Sequence, residues 1–226
     1  MTRTRYLLPV AVLAAGAVAL LLVLQSAADE QPDREPLMLL LAPSGFLLPQ
    51  GEMVDAKRVS RAHGFRSRQY IYPLGDPLEA WRAVRHRAEL AREIGRDVYV
   101  YGESAGGTLA ALLAKRDVAE AAVANSAPVD LPKFNPNDLW GLLGTPPGVL
   151  RRLSPVNGPT ENPVLLLASP DDGVVFWGPA RAWAKRDPMV RFHGFLGEHV
   201  KGDRYEANLQ RAFDWLQRRQ AGAESS

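Results

Sequence analysis

Short apolar runs alternate with amphipathic segments along most of the chain. The strand-length runs are residues 37–42, 69–72, 97–101, 121–124, 163–168 and 189–195. The segments with apolar residues at helical spacing are 52–66, 77–94, 108–115, 179–186 and 204–219. Strands that are apolar on both faces and separated by helices are typical of a parallel sheet covered on both sides. We therefore expect a three-layer α/β domain over residues 37–220, with about six mostly parallel strands.

The N-terminal region follows a different pattern. Arg3 and Arg5 precede an uncharged run of 19 residues, 6–24. Such a run has about the length that spans a bilayer, and the preceding positive charge keeps the N-terminus in the cytoplasm. Small residues at 26–28 are also compatible with cleavage, so a removed signal peptide stays open as the alternative. We predict a membrane anchor or a signal peptide over residues 1–28, then a polar linker over 29–36. The protein is then extracytoplasmic, either anchored in the membrane or secreted; the alternative is a cytoplasmic protein with an unusual leader.

One interval inside the domain breaks the alternation of strands and helices. Residues 131–162 are rich in proline and glycine, with apolar residues between them. A long irregular interval in a compact domain is often a lid or a binding loop. The alternative is a surface excursion that covers one edge of the sheet. At the other end of the chain, the polar tail 221–226 is predicted to be disordered.

Composition removes several classes of function. The formal net charge is only +2, from 27 basic and 25 acidic residues, and no basic stripe with interleaved aromatic residues suggests a nucleic-acid partner. The chain contains no cysteine, which excludes disulfides, thiolate zinc sites and a cysteine nucleophile. The histidines and carboxylates form no ligand spacing such as H-E-x-x-H. We therefore expect neither a metal nor an organic cofactor.

The segment 97–107 carries the strongest chemical signal. An apolar strand leads directly into Gly-Glu-Ser-Ala-Gly, and a helix rich in small residues follows. This G-x-S-x-G arrangement between a strand and a helix predicts a nucleophile elbow, with Ser104 exposed at the carboxyl end of the strand. Gly102 and Gly106 provide the space that so tight a turn needs. An ordinary glycine-rich turn is the alternative.

A serine nucleophile requires a base and an acid that orients the base. Asp172 follows the strand-like run 163–168, and His199 follows the run 189–195, in the chain order serine, acid, histidine. We predict that Asp172 is the acid and His199 the base. Asp171 is a candidate helper that caps the following turn, and Asp130 is a third candidate for the acid. The remaining histidines fall within predicted helices or a strand, where structural roles are expected: His63, His86 and His193.

These motifs resemble those of the α/β-hydrolase superfamily. The matching segments are 102–107, 172–175 and 197–199, and they favour the esterases of the carboxylesterase and hormone-sensitive-lipase groups. The approach to the acid strand, 154–167, also resembles that of prolyl-oligopeptidase-type catalytic domains. The resemblance covers roughly residues 37–219, with a sheet trimmed at its N-terminal edge. It implies a serine esterase or peptidase that acts through an acyl-enzyme.

The loop after the first strand departs from the pattern of these esterases. They carry His-Gly-Gly-Gly there, whereas this chain has Ala-Pro-Ser-Gly-Phe at 42–46. The resemblance implies an oxyanion hole, for which we assign the backbone amides of Ala105 and of Ser44 or Gly45. Trp140 and Phe46 are predicted to contact the substrate.

The expected substrate is a small-molecule ester or amide, and an ester is favoured because the chain has no room for a large gating domain. A serine peptidase or amidase, or an acyltransferase, would use the same triad. A non-catalytic binding protein that retains the fold is the alternative from another class, and the unusual loop at 42–46 is its main support. The sequence predicts nothing about the oligomeric state.

Overall fold

The computed structural model describes residues 35–202 and 204–223. The predicted anchor or signal peptide, most of the linker and the last three residues lie outside this part of the chain. The described residues belong to one compact unit that begins at Glu35.

Six strands form one sheet in the described part of the chain. They are β1 (Leu37–Leu41), β2 (Arg66–Gln69), β3 (Val98–Glu103), β4 (Ala121–Asn125), β5 (Val164–Ala168) and β6 (Val190–Gly194). Their order is β2-β1-β3-β4-β5-β6, and every neighbouring pair runs parallel. The predicted strand number and direction are confirmed. The carboxyl ends of all six strands therefore meet at one edge, which is where loops bring functional side chains together in such sheets.

Helices cover both faces of the sheet. The longer helices are α1 (Val54–Ala62), α2 (Pro77–Glu93), α3 (Ala105–Lys115), α6 (Gly178–Arg186) and α7 (Tyr205–Ala223). Alternate residues of β1 enter different cores, since Leu39 belongs to the core that contains residues of α2, α3 and α6, whereas Leu40 belongs to the core that contains residues of α1 and α7. This alternation follows from the two-residue period of a strand and explains why the central strands are apolar throughout.

The region around β2 differs from the prediction. The predicted helix over 52–66 is shorter, because it ends at Ala62 and the chain turns at Gly64 with a φ of +82°. The strand is Arg66–Gln69 and not 69–72. Its polar sequence contains no strand signal, since β2 is an edge strand and its backbone hydrogen bonds to β1 do not depend on apolar side chains.

The interval 131–162 contains more regular structure than expected. Two 3₁₀ turns, Leu131–Lys133 and Pro136–Asp138, precede the short helices α4 (Leu139–Leu142) and α5 (Pro147–Arg152). At the other end of the domain, α7 continues into the predicted tail as far as Ala223. None of the described helices combines the length and the apolar character needed to cross a membrane.

Candidate active site

Ser104 occupies the tight turn between β3 and α3. Its backbone has a φ of 52° and a ψ of −120°, which a non-glycine residue adopts only when the surrounding structure enforces it. A Cβ at Gly102 would lie 2.2 Å from the carbonyl oxygen of Gly106, and a Cβ at Gly106 would lie 2.2 Å from that of Leu41. Both positions therefore require glycine. The turn places Ser104 at the start of α3, whose first amides have no partner within the helix.

Asp172 and His199 form a direct pair at the carboxyl edge of the sheet. The imidazole Nδ1 lies 2.9 Å from Oδ2 and 3.1 Å from Oδ1 of Asp172. The Asp172 side chain is 1% exposed, and its Oδ1 also accepts hydrogen bonds of 2.9 Å from the amides of Val174 and Val175. Burial alone raises the pKa of Asp172, but the hydrogen bonds from His199 and the two amides outweigh it and lower the pKa overall. The carboxylate is therefore ionised and can orient the imidazole.

Ser169 ties the two loops of this pair together. Its buried hydroxyl accepts hydrogen bonds from the amide of Asp171 at 3.0 Å and from that of Gly197 at 3.2 Å. One loop carries Asp172 and the other carries His199. A single side chain at the end of β5 thus helps to fix the separation of the acid and the base.

The loop after β1 is held by a buried hydroxyl network. The hydroxyl of Tyr72 donates to the carbonyl of Ala42 at 2.6 Å and lies 2.9 Å from Oγ of Ser44, which accepts from the amide of Phe46 at 3.0 Å. Gly45 and Phe46 both have positive φ angles, 57° and 63°. Within the described residues, no backbone acceptor pairs with the amides of Ser44 and Gly45. These two amides are thus available as donors at the position where the sequence predicts an oxyanion hole.

Ser104, His199, Ser44 and Gly45 line one cavity of about 630 Å³. The structure therefore brings the predicted nucleophile, base and oxyanion loop together, and Asp172 pairs with the base from outside the lining. Most of the remaining wall is apolar and comes from the loop after β1, from the interval 131–162 and from the loops after β5 and β6. These wall residues include Leu47, Leu48, Phe134, Leu139, Leu142 and Val174.

The two predicted substrate contacts require a correction. Phe46 and Trp140 are 2% and 5% exposed and do not line this cavity. Their rings pack against each other with centroids 6.3 Å apart, and the Trp140 indole donates to the carbonyls of Leu131 and Phe134. The two aromatic side chains thus support the wall from behind, while their sequence neighbours Leu47 and Leu139 reach the cavity. The two carbonyls supply the hydrogen-bond acceptors that a buried indole N–H needs.

Glu103 is a functional candidate that the sequence reasoning missed. It is 4% exposed, and its Oε1 accepts hydrogen bonds from the hydroxyls of Tyr101 at 2.8 Å and Tyr205 at 2.7 Å. Burial raises the pKa of Glu103, although the hydrogen bonds from Tyr205 and Tyr101 and the electrostatic interaction with His199 offset part of this effect. A buried carboxyl next to the nucleophile and within electrostatic range of the base can stabilise an imidazolium. The sequence signal for this role is the position of the acidic residue, directly between Gly102 and Ser104 in the elbow.

The other sequence candidates lie in different surroundings. His63 bonds to the carbonyl of Val59 and to Asp214, which places it against α7. Asp130 pairs with Lys133 at 2.8 Å and not with His199. Asp171 is exposed and contributes only its backbone amide to the site. Among the described residues, no cluster of histidines and carboxylates could hold a metal ion.

Solved structures of several esterases share this architecture. Est1E from Butyrivibrio proteoclasticus is 15% identical, with a TM-score of 0.67 over 85% of this chain and 91% of that protein. A hyperthermophilic esterase from Pyrobaculum calidifontis is 19% identical, with a TM-score of 0.65 over 81% and 77% of the two chains. Thermogutta terrifontis esterase 2, phosphoramylated by tabun, is 20% identical, with a TM-score of 0.63 over 81% and 83%. No family profile and no curated protein matches the sequence. The domain therefore has the α/β-hydrolase fold, as the resemblance implied.

Proposed function

We propose that this chain is a serine hydrolase that cleaves carboxylic esters through an acyl-enzyme on Ser104. One observation carries the proposal: Ser104, in the conformation of a nucleophile elbow, lines the same cavity as His199, whose Nδ1 is bonded to the buried carboxylate of Asp172. The likeness to esterases of the same fold supports ester hydrolysis as the reaction.

The proposed reaction begins when His199 removes the hydroxyl proton of Ser104. The serine oxygen then attacks the ester carbonyl, while Asp172 stabilises the imidazolium. The amide of Ala105 and that of Ser44 or Gly45 donate to the oxyanion, each such donor being worth about 3 kcal/mol of transition-state stabilisation. His199 protonates the leaving alcohol. Water then repeats the sequence on the acyl-enzyme, which releases the acid and restores Ser104.

The lining of the cavity favours an ester with an apolar acyl or alcohol group. Leucine, proline, phenylalanine and valine side chains form most of its wall, and Lys201 is the cationic side chain that reaches it. Burial of apolar groups contributes about 25 cal/mol per Å² of surface removed from water, so a longer acyl chain gains affinity until it fills the cavity.

A substrate panel tests this proposal. We expect p-nitrophenyl esters of increasing acyl length to be hydrolysed by the wild-type protein, and the Ser104→Ala variant to lose the activity with nearly unchanged thermal unfolding. Full turnover by Ser104→Ala would remove the serine from its role. Faster cleavage of peptide amides than of esters would identify a peptidase, and product partition towards an added alcohol would identify an acyltransferase.

We also propose that the N-terminal segment places the domain outside the cytoplasm, as a membrane-anchored or secreted protein. The support is the sequence alone, namely Arg3 and Arg5 followed by the uncharged run 6–24. Reporter fusions at the C-terminus that are active only outside the cytoplasm test this. The N-terminal sequence of the mature protein then separates an anchor from a cleaved signal peptide.

A further inference from the structure

A second cavity, distinct from the candidate active site, lies between the edge strand β2 and helix α2. Its volume is about 620 Å³. Apolar and polar groups from β1, β2 and α2 line it, together with four arginines: Arg66, Arg68, Arg87 and Arg96. We call this cavity the arginine cleft. It runs along β2 from the amino end of β1 to Tyr70, and it shares no lining residue with the candidate active site.

The strand register brings two of these arginines onto one wall. Arg66 lies opposite Leu37, and Arg68 lies opposite Leu39. Leu37 and Leu39 belong to the core under α2, so alternation along the strand directs Arg66 and Arg68 toward the same face. Arg87 on α2 and Arg96 in the following turn complete the cleft.

The positive charge of the cleft is uncompensated within the described residues. None of the four guanidinium groups forms an ion pair there, and no acidic side chain lines the cavity. Glu93 and Asp97 adjoin the lining in sequence but are not part of it. Four arginines around one cavity, none of them in an ion pair among the described residues, create a local positive field that attracts an anionic partner.

Protection of the sheet edge does not account for the whole cluster. Charged side chains on an outer strand prevent unwanted pairing with another strand. Arg66 and Arg68 suffice for that role, whereas Arg87 and Arg96 come from a helix and a turn. Two exposed aliphatic residues also line the cleft, Leu90 at 39% and Ile94 at 58% exposure. Arginines beside exposed aliphatic side chains are the composition of a surface that binds the interface of an anionic membrane.

The N-terminal sequence supports the same partner. The uncharged run 6–24 precedes the domain in the sequence, and the function proposed above includes a membrane anchor there. A membrane anchor in the same chain would make lipid headgroups the anionic partner at hand.

We propose that the arginine cleft binds the headgroups of anionic phospholipids and thereby seats the domain on the membrane surface. Guanidinium groups bind phosphate oxygens through paired hydrogen bonds, and Leu90 and Ile94 contact the apolar boundary beneath the headgroups. This function is separate from ester hydrolysis, so a loss of either leaves the other in place.

Full-length protein with a single fluorophore tests the proposal, because the chain has no cysteine of its own. An environment-sensitive dye is attached to Ile94→Cys in the cleft or, as a matched control, to Leu196→Cys, which is 61% exposed and follows β6. Each protein is bound to vesicles of phosphatidylcholine alone or of equal parts phosphatidylcholine and phosphatidylglycerol. We expect a blue shift of the dye at position 94 on the anionic vesicles only, lost at high salt, and no such difference at position 196.

Charge substitutions measure the contribution of the arginines. The double variant Arg66→Gln with Arg68→Gln should lower the ratio of membrane-bound to unbound domain about 25-fold, because each arginine contributes about a fivefold change in this ratio. Arg61→Gln with Arg211→Gln removes the same charge from exposed positions outside the cleft and should change the ratio little. Arg66→Lys with Arg68→Lys should keep most of the response.

Three results would overturn the proposal. The dye at position 94 could respond identically to both kinds of vesicle. The two glutamine pairs could weaken the response equally, which would make it an effect of net charge. A short RNA could shift the dye when anionic vesicles do not, which would make the cleft a nucleic-acid site. Far-ultraviolet circular dichroism and thermal unfolding, measured on the same samples, show that each variant is folded, so the test does not depend on ester hydrolysis.

Discussion

Asp172 is the residue whose geometry defines the candidate triad most sharply. It accepts hydrogen bonds from His199 and from two backbone amides, so its carboxylate is fixed and ionised. An asparagine at this position cannot hold the imidazole in the same tautomer. We expect Asp172→Asn to lower kcat roughly 10⁴-fold with little change in KM, as judged by steady-state ester hydrolysis. Asp171→Asn is the matched control, because Asp171 is exposed and should leave kcat near the wild-type value; equal losses in both variants would contradict this role of Asp172.

Glu103 gives the pH dependence of stability a definite sign. Burial raises its pKa above the value of about 4.3 in an unfolded chain, so the native state holds the proton more tightly. The free energy of unfolding therefore declines as the pH rises from the unfolded to the folded pKa. Glu103→Gln keeps an acceptor for Tyr101 and Tyr205 but has no proton to lose. Urea unfolding at several pH values should show the wild type losing stability relative to this variant as the pH rises; a pH-independent difference would refute the argument.

At the scale of elements, the strand–turn–helix unit around Ser104 depends on the close backbone contacts of Gly102 and Gly106. A methyl group at Gly106 meets the carbonyl of Leu41 in β1, so the helix cannot approach the strand. We expect Gly106→Ala to lower the free energy of unfolding by about 1–3 kcal/mol and to abolish ester hydrolysis. Gly148→Ala, in α5, is the control, since a Cβ there has open space around it. Retention of activity by Gly106→Ala would show that the turn tolerates a different geometry.

The loop after β1 is the second element on which turnover depends. The hydroxyl of Tyr72 bonds to Ala42 and lies within hydrogen-bond distance of Ser44, and the φ angles of Gly45 and Phe46 are held in the left-handed region. Tyr72→Phe removes the hydroxyl that bonds to the carbonyl of Ala42 and to Oγ of Ser44, and it should cost about 1–3 kcal/mol of stability. It should also lower kcat by up to about 100-fold, the value of one oxyanion donor, with a smaller effect on KM. Tyr70→Phe serves as the control in chemical unfolding and kinetics, and an unchanged kcat in Tyr72→Phe would place the oxyanion donors elsewhere.

The elements that could be predicted from the sequence are those with a strong internal signal. The elbow around Ser104 and the apolar strand β5 are local patterns, so their positions in the sheet follow from a few residues. The position of β2 could not be predicted, because Arg66–Gln69 is polar and pairs through its backbone. The burial of Phe46 and Trp140 could not be predicted either, since it depends on packing between a loop and the distant interval 131–162.

At the scale of the whole molecule, the two cavities separate chemistry from the proposed membrane contact. The candidate active site opens at the carboxyl ends of the strands, whereas the arginine cleft runs along the edge strand β2 and shares no lining residue with it. The four arginines of the cleft come from β2, α2 and the turn after α2, so neither the net charge nor a local motif indicated that they line one cavity. The fold alone brings them together.

This separation predicts that the membrane does not block the site. A water-soluble fluorophosphonate should label Ser104 at the same rate on neutral and on anionic vesicles, even while the dye at Ile94→Cys reports seating on the anionic ones. The rate is measured by stopping the reaction at intervals and determining the labelled fraction by mass spectrometry. Slower labelling on anionic vesicles would mean that the seated domain turns its active site toward the bilayer.

The most direct measurement of the central claim is the reaction of the full-length protein with a fluorophosphonate, with the modified residue identified by peptide mass spectrometry. An activated serine reacts rapidly, whereas an ordinary serine hydroxyl does not. We expect rapid, stoichiometric labelling at Ser104, slow labelling in His199→Ala and none in Ser104→Ala. Absence of labelling in a folded wild-type protein, or labelling at another serine, would contradict the proposed hydrolase and favour a binding protein that has retained the fold.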